Sequence, residues 1–190
     1  MMRFLILLAM LALPLHAQES GAKIVAAARK QVGVTLSYDP AYVTLAYPGG
    51  DVPKERGVCT DVIIRALREG LTTDLQKLVH EDMKANFGAY PKNWGLARPD
   101  KNIDHRRVPN LQAFFKRRGC SQVLTKDAAK FQPGDLVTCT VPPNLPHVMI
   151  VSDKKTAEGV PLVIHNIGGG AQEEDVLFTF PLTGHYRWRD

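Results

Sequence analysis

Three side chains capable of nucleophilic or acid–base chemistry stand in informative settings: Cys59, His147 and His165. Cys59 lies in GVCTDVIIRALREG, where Val62, Ile63, Ala66 and Leu67 recur at the spacing of one buried helical face and Gly70 supplies a stop. The cysteine therefore sits at the start of a helix, a position that Ser or Asp would cap better. There it meets the positive end of the helix dipole, which favours thiolate over thiol. A nearby imidazole would complete the activation as a thiolate–imidazolium pair. The bland alternative is a small buried apolar residue, the usual fate of a free cysteine.

Of the six histidines, His147 opens the run HVMIVSD directly after a turn, so its ring can face a cleft while Val148 and Ile150 pack on one face. His165 closes the next apolar run, VIHNIGG. Pairing of these strands through a turn near Glu158-Gly159 would bring the imidazoles onto neighbouring strands. His147 would then take the thiol proton and His165 would fix its tautomer and direction. His80, in VHEDMK, fits a solvated helix face, and HEDMK is not the H-E-x-x-H zinc pattern. A metal bound by Cys59, His147 and His165 is a third reading, but they lack compact zinc spacing, so no cofactor or metal is expected.

A helix-starting cysteine, then Gly-Asp-Leu-Val, His-Val-x-Ile-Val and Val-Ile-His resembles the NlpC-type cell-wall peptidases of the papain-like clan. The resemblance implies Cys59 as nucleophile, His147 as base and His165 as orienting residue. It also implies an oxyanion site built from the Cys59 backbone N–H and a tyrosine, which Tyr47 of AYPGG resembles. Across nearly the whole mature chain, YPGGDVP, GVCTDVIIRALR, VHEDM, NIDHRRVPNL and VIHNIGGG resemble the bacterial domain-of-unknown-function family 1287. The common Asp-Cys-Ser-Gly of cell-wall peptidases is replaced by Val58-Cys59-Thr60-Asp61. Asp61 either points into the cleft or caps the helix. Asn166 competes with His165 for the third role; adjacent strand residues face opposite sides, so only one can reach His147, and the resemblance selects His165. Arg106 and Arg107 could hold the carboxylates of an acidic peptide through forked hydrogen bonds, or belong to a solvated loop paired with Asp104.

The elements that must position these groups read as an α+β domain: helices first, then an antiparallel meander of about five strands. Ser20 to Gln31 carries Ile24, Ala27, Ala28 and Gln31 on helical spacing. A tract of turn formers runs from Ser37 to Lys54, and a second helix follows Cys59's, capped by Thr73 or Asp74 with Leu75, Leu78, Val79 and Met83 inward. Tyr90 to Asn110 is a long irregular connection, of a length more often functional than idle. Pro109 opens a short helix through Phe114 and Phe115. GDLVTCTV, HVMIVSD, PLVIHNI, DVLFTF and HYRWR read as the strands.

The chain opens MMRFLILLAMLALPLHAQES, a secretory signal peptide with a cleavage site near Ala17, which implies a periplasmic or secreted protein. No later segment is long and apolar enough to span a bilayer, so no stable membrane insertion is expected after cleavage. About 170 residues remain, enough for a single domain, residues 18–190, with its own core. The formal charge of +5 falls to +4 with the loss of Arg3; mild basicity suits an acidic wall polymer, and no basic run with interleaved aromatics points to nucleic acid. Three cysteines in an oxidising compartment leave one over, so Cys120 and Cys139 could pair while Cys59 stays free. These readings converge on a cysteine amidase or endopeptidase acting on peptidoglycan stem peptides. The alternatives are a non-catalytic wall-binding module and a thiol acyltransferase.

Overall fold

The computed structural model describes residues 18–189; the expected signal peptide lies outside the described residues. The first helix, α1, covers 18–29 and buries Ile24, Val25, Ala27 and Ala28, the stripe its spacing predicts. β1 (Ser37–Tyr38) and β2 (Arg56–Gly57) form a short parallel pair that carries the chain into α2 (Cys59–Leu71). α3 (Leu75–Asn86) starts at Asp74, whose carboxylate accepts the Lys77 N–H at 3.3 Å, and buries Leu75, Val79 and Met83. The long connection contains one turn of 3-10 helix at Asp104–Arg106 and leads into α4 (Val108–Arg117), with Pro109 in its first turn.

Gly70 departs from the stop expected of it. α2 continues to Leu71, and Thr72 adopts the left-handed conformation that ends it. Gly70 is instead where α1 crosses: a Cβ there would stand 2.7 Å from the Lys23 carbonyl oxygen. The missing side chain permits the close approach of two helix backbones.

The sheet has five antiparallel strands: β3 (Leu136–Val141), β4 (Leu145–Lys155), β5 (Pro161–Asn166), β6 (Ala171–Glu174) and β7 (Leu182–Tyr186). Their order is β6-β5-β4-β3-β7, so β3 to β6 meander and β7 returns to the far edge beside β3. DVLFTF is not a strand. Residues 175–180 form turns that bury Leu177 and lean Val176, Phe178 and Phe180 on a second core, whereas the polar AQEE is the edge strand. Helices α1, α2 and α4 cover one face of the sheet, against Leu136, Val148, Ile150 and Ile164. The second core, on the other face, gathers Phe131, Val137, Cys139, Met149, Val151, Val163 and Leu177. Strand alternation explains the division.

The cysteine pairing does not form. All three thiols are free and buried, Cys120 in the helix-side core and Cys139 in the second core across the sheet. No helix of the described residues is long and apolar enough to cross a membrane.

Candidate functional site

The turn that delivers Cys59 is held by charge. Asp61 accepts the Val58 N–H at 2.7 Å, closing the first turn of α2, and both its oxygens receive the Arg106 fork at 2.9 Å. Arg106 also donates to the Ala41 and Asp39 carbonyls at 3.2 and 3.3 Å, and its own carbonyl accepts the Thr60 hydroxyl at 3.1 Å. The two charged side chains are 2% and 3% exposed. Asp61 is therefore the cap. Arg106 lines the cleft, but its donors are committed to Asp61 and to backbone.

Asn166 likewise builds the approach to Cys59. Its amide donates to the Gly57 carbonyl at 3.0 Å and to the Ser37 carbonyl at 3.2 Å, tying β5 to the β1–β2 pair. Gly57 has no room for a side chain, because a Cβ would meet the Asp61 carboxylate at 2.9 Å. Cys59 thus emerges at the floor of a cleft of about 500 Å³ whose walls include Tyr38, Trp94, Arg107, Asn144 and Pro146.

The thiol is not the thiolate its position suggests. Cys59 is only 3% exposed, and burial pushes its pKa up to about 12 against the opposing N–H groups of Val148 and Thr60. Nearby Asp61 raises it further. A helix dipole contributes roughly half a charge at its end, too little to offset full desolvation.

His147 and His165 do come together. Nε2 of His147 lies 2.8 Å from Nδ1 of His165, with ring planes 75° apart, and Nε2 of His165 lies 2.9 Å from Oε2 of Glu174. Both histidines are buried. Burial drives the His147 pKa down to about 3, and lowers that of His165 despite the opposing Glu174. Both rings are neutral at pH 7. His147 alternates with Val148, the residue whose N–H meets the Cys59 sulfur, and stands in register opposite Cys139. Among the described residues no hydrogen bond joins Cys59 to His147; neither histidine lines the cleft, and strand alternation sets the His147 side chain on the face opposite Val148, with Cys139.

Tyr47 is not at this site. Its ring packs edge-on against His80 of α3, centroids 5.2 Å apart, with the Lys101 ammonium 5.7 Å away. The tyrosine beside Cys59 is Tyr38, which interacts with the thiol and whose own pKa burial raises to about 12. Sequence reading passed over it because SYDP reads as a turn. Trp94 also went unremarked, and its ring carries the Arg107 guanidinium 4.1 Å from its centroid. Arg107 meets Asp104 at 3.5 Å, and its Nη1 has no hydrogen-bond partner. Of the two arginines, Arg107 is the one whose guanidinium is not tied to backbone; its buried Nη1 faces Asp104. Among the described residues no group of three or more His, Cys, Asp or Glu side chains is arranged to hold a metal ion.

Against known proteins, the chain is 59% identical over 161 residues to "Uncharacterized protein YijF" of Escherichia coli (strain K12), covering 85% of this chain and 78% of that protein. Residues 25–188, from α1 to just beyond β7, match the family model described as Domain of unknown function (DUF1287). The helix that carries Cys59, the arginine loop and the two histidine strands all fall inside that match, and the chain belongs to this family.

Proposed function

We propose that the protein is a thiol hydrolase of papain-like, NlpC-type architecture, exported to the periplasm or beyond, that cleaves an amide in peptidoglycan stem peptides. The observation that carries this reading is a cysteine at the first residue of a helix, on the floor of an open cleft. Val148, whose N–H meets the Cys59 sulfur, follows His147 in β4, and His147 with His165 forms a buried pair of neutral histidines. A neutral imidazole is the form that can accept a proton. In this reading His147 takes the proton from the Cys59 sulfur as the sulfur attacks the scissile carbonyl, and returns it to the leaving amine. Water then resolves the acyl-enzyme. The backbone N–H of Cys59 and the Tyr38 hydroxyl are the donors available to the oxyanion. His165 orients His147, and Arg107 on Trp94 offers a guanidinium to a substrate carboxylate.

Digestion of purified peptidoglycan by wild type and Cys59→Ala, with mass spectrometry of the products, tests the proposal. New cleaved stem peptides in the wild-type digest alone are expected; identical digests would overturn it.

One observation favours a second reading, a non-catalytic wall-binding module on the same fold. The thiol is buried, protonated and without a hydrogen bond to His147. In that case both proteins would sediment with peptidoglycan and neither would alter it.

A further inference from the structure

Glu174 was invisible in the sequence, because AQEE is a short polar run without strand character, yet β6 pairs with β5 so that His165 stands opposite Gln172 and Glu174 reaches its ring. The bonding pattern of the three side chains admits little freedom. Glu174, with 37% of its side chain exposed, offers Oε2 as the hydrogen-bond acceptor in this contact. Nε2 of His165, 2.9 Å away, must therefore carry a hydrogen. A neutral imidazole has one N–H, which leaves Nδ1 of His165 bare and accepting. Nε2 of His147, 2.8 Å from that nitrogen, must then be the donor, and Nδ1 of His147 keeps its lone pair.

We infer that Glu174 is a positioning residue: acting through His165, it sets His147 in the Nε2–H tautomer and leaves Nδ1 as the proton acceptor. The inference rests on the proposed role of His147 as base. When Nδ1 of His147 gains a proton, its Nε2–H still donates to His165, and the new positive charge faces a chain that ends in a carboxylate. The relay transfers no second proton; it orients the ring and balances its charge, in the way outer partners fix the tautomer of a working histidine.

The test compares wild type, Glu174→Ala and Glu174→Gln. Long-range proton–nitrogen NMR of labelled protein reads the tautomer of each ring directly, and turnover of a synthetic stem peptide is separated into kcat and KM. Wild type should show both rings as Nε2–H. Glu174→Ala should redistribute the His165 and His147 tautomers and lower kcat by about tenfold or more with KM little changed. Glu174→Gln keeps an accepting oxygen without the charge, so it should hold the tautomers and recover part of kcat. A hydrogen on Nδ1 of His147 in wild type would overturn the inference. So would Glu174→Ala spectra with both rings unchanged, whatever happens to kcat. A wild-type protein that leaves the peptide intact would sink the hydrolase reading alone, since the ring spectra still decide the tautomers.

Discussion

Burial and the helix dipole pull the Cys59 thiol in opposite directions, and burial is the larger effect. Without substrate, Cys59 should therefore alkylate with iodoacetamide more slowly than a free cysteine at pH 7, and its rate should still be climbing above pH 9. Site-resolved mass spectrometry of the labelled peptide measures this; a rate matching a model thiol at pH 6 would contradict a buried neutral sulfur. His165 and Asn166, adjacent in sequence, separate by consequence rather than by degree. His165 touches the base, so His165→Ala should cut turnover by about 10- to 100-fold with little change in melting temperature. Asn166 touches backbone, so Asn166→Ala should cost about 1–3 kcal/mol of stability by removing its two hydrogen bonds, to the Gly57 and Ser37 carbonyls. Paired melting curves and turnover measurements distinguish the two, and a crossed result would exchange their roles.

At the scale of elements, the Cys59 turn depends on a buried ion pair reaching across 45 residues of sequence, from Asp61 on α2 to Arg106 in the loop before α4. Removing one partner leaves an uncompensated buried charge, so Arg106→Leu should destabilise by about 3–5 kcal/mol in urea unfolding. Adding Asp61→Asn should restore part of that loss; simple additivity of the two substitutions would mean the pair is not coupled. Local pattern made the helices legible: the apolar spacing around Val62 and Leu67, the Asp74 cap and the Pro109 start all mark real elements. The same pattern misled where apolar residues serve a turn. Val176, Phe178 and Phe180 alternate like a strand but wrap Leu177 against the second core, while the true edge strand is polar because Arg29, Lys154 and His165 hold its glutamates. Tyr38 and Glu174 were illegible for one reason. Each acts through a strand pairing that its own stretch does not signal, SYDP reading as a turn and AQEE as a polar run.

For the molecule as a whole, burying neutral histidines makes stability depend on pH. His147 and His105 both have pKa values near 3, burial being the main cause in each case, with the Arg106 charge adding to it for His105. In the unfolded chain each titrates near 6.5. The unfolded state therefore binds more protons below that pH, and stability falls as pH drops through the window from about 6.5 towards 3. At pH 5 this costs about 2 kcal/mol for each histidine. Asp104 works the other way. Burial raises its pKa to about 6, so the folded state takes up its proton first and gains stability as pH falls through that value. Its shift is smaller than that of either histidine, and His165 and His80, which burial also lowers, add to the histidine side, so the net effect is acid destabilisation of at least about 2–3 kcal/mol between pH 7 and pH 5. For a domain of this size that corresponds to a fall in melting temperature of roughly 5–10 °C. Thermal melts followed by circular dichroism across that range should show the fall. His105→Asn, which removes one of the buried histidines and lies away from the His147–His165 pair, should take about 2 kcal/mol out of the loss between pH 7 and pH 5, whatever it does to the melting temperature at pH 7. An unchanged slope in His105→Asn would mean that the burial of His105 does not keep its ring neutral.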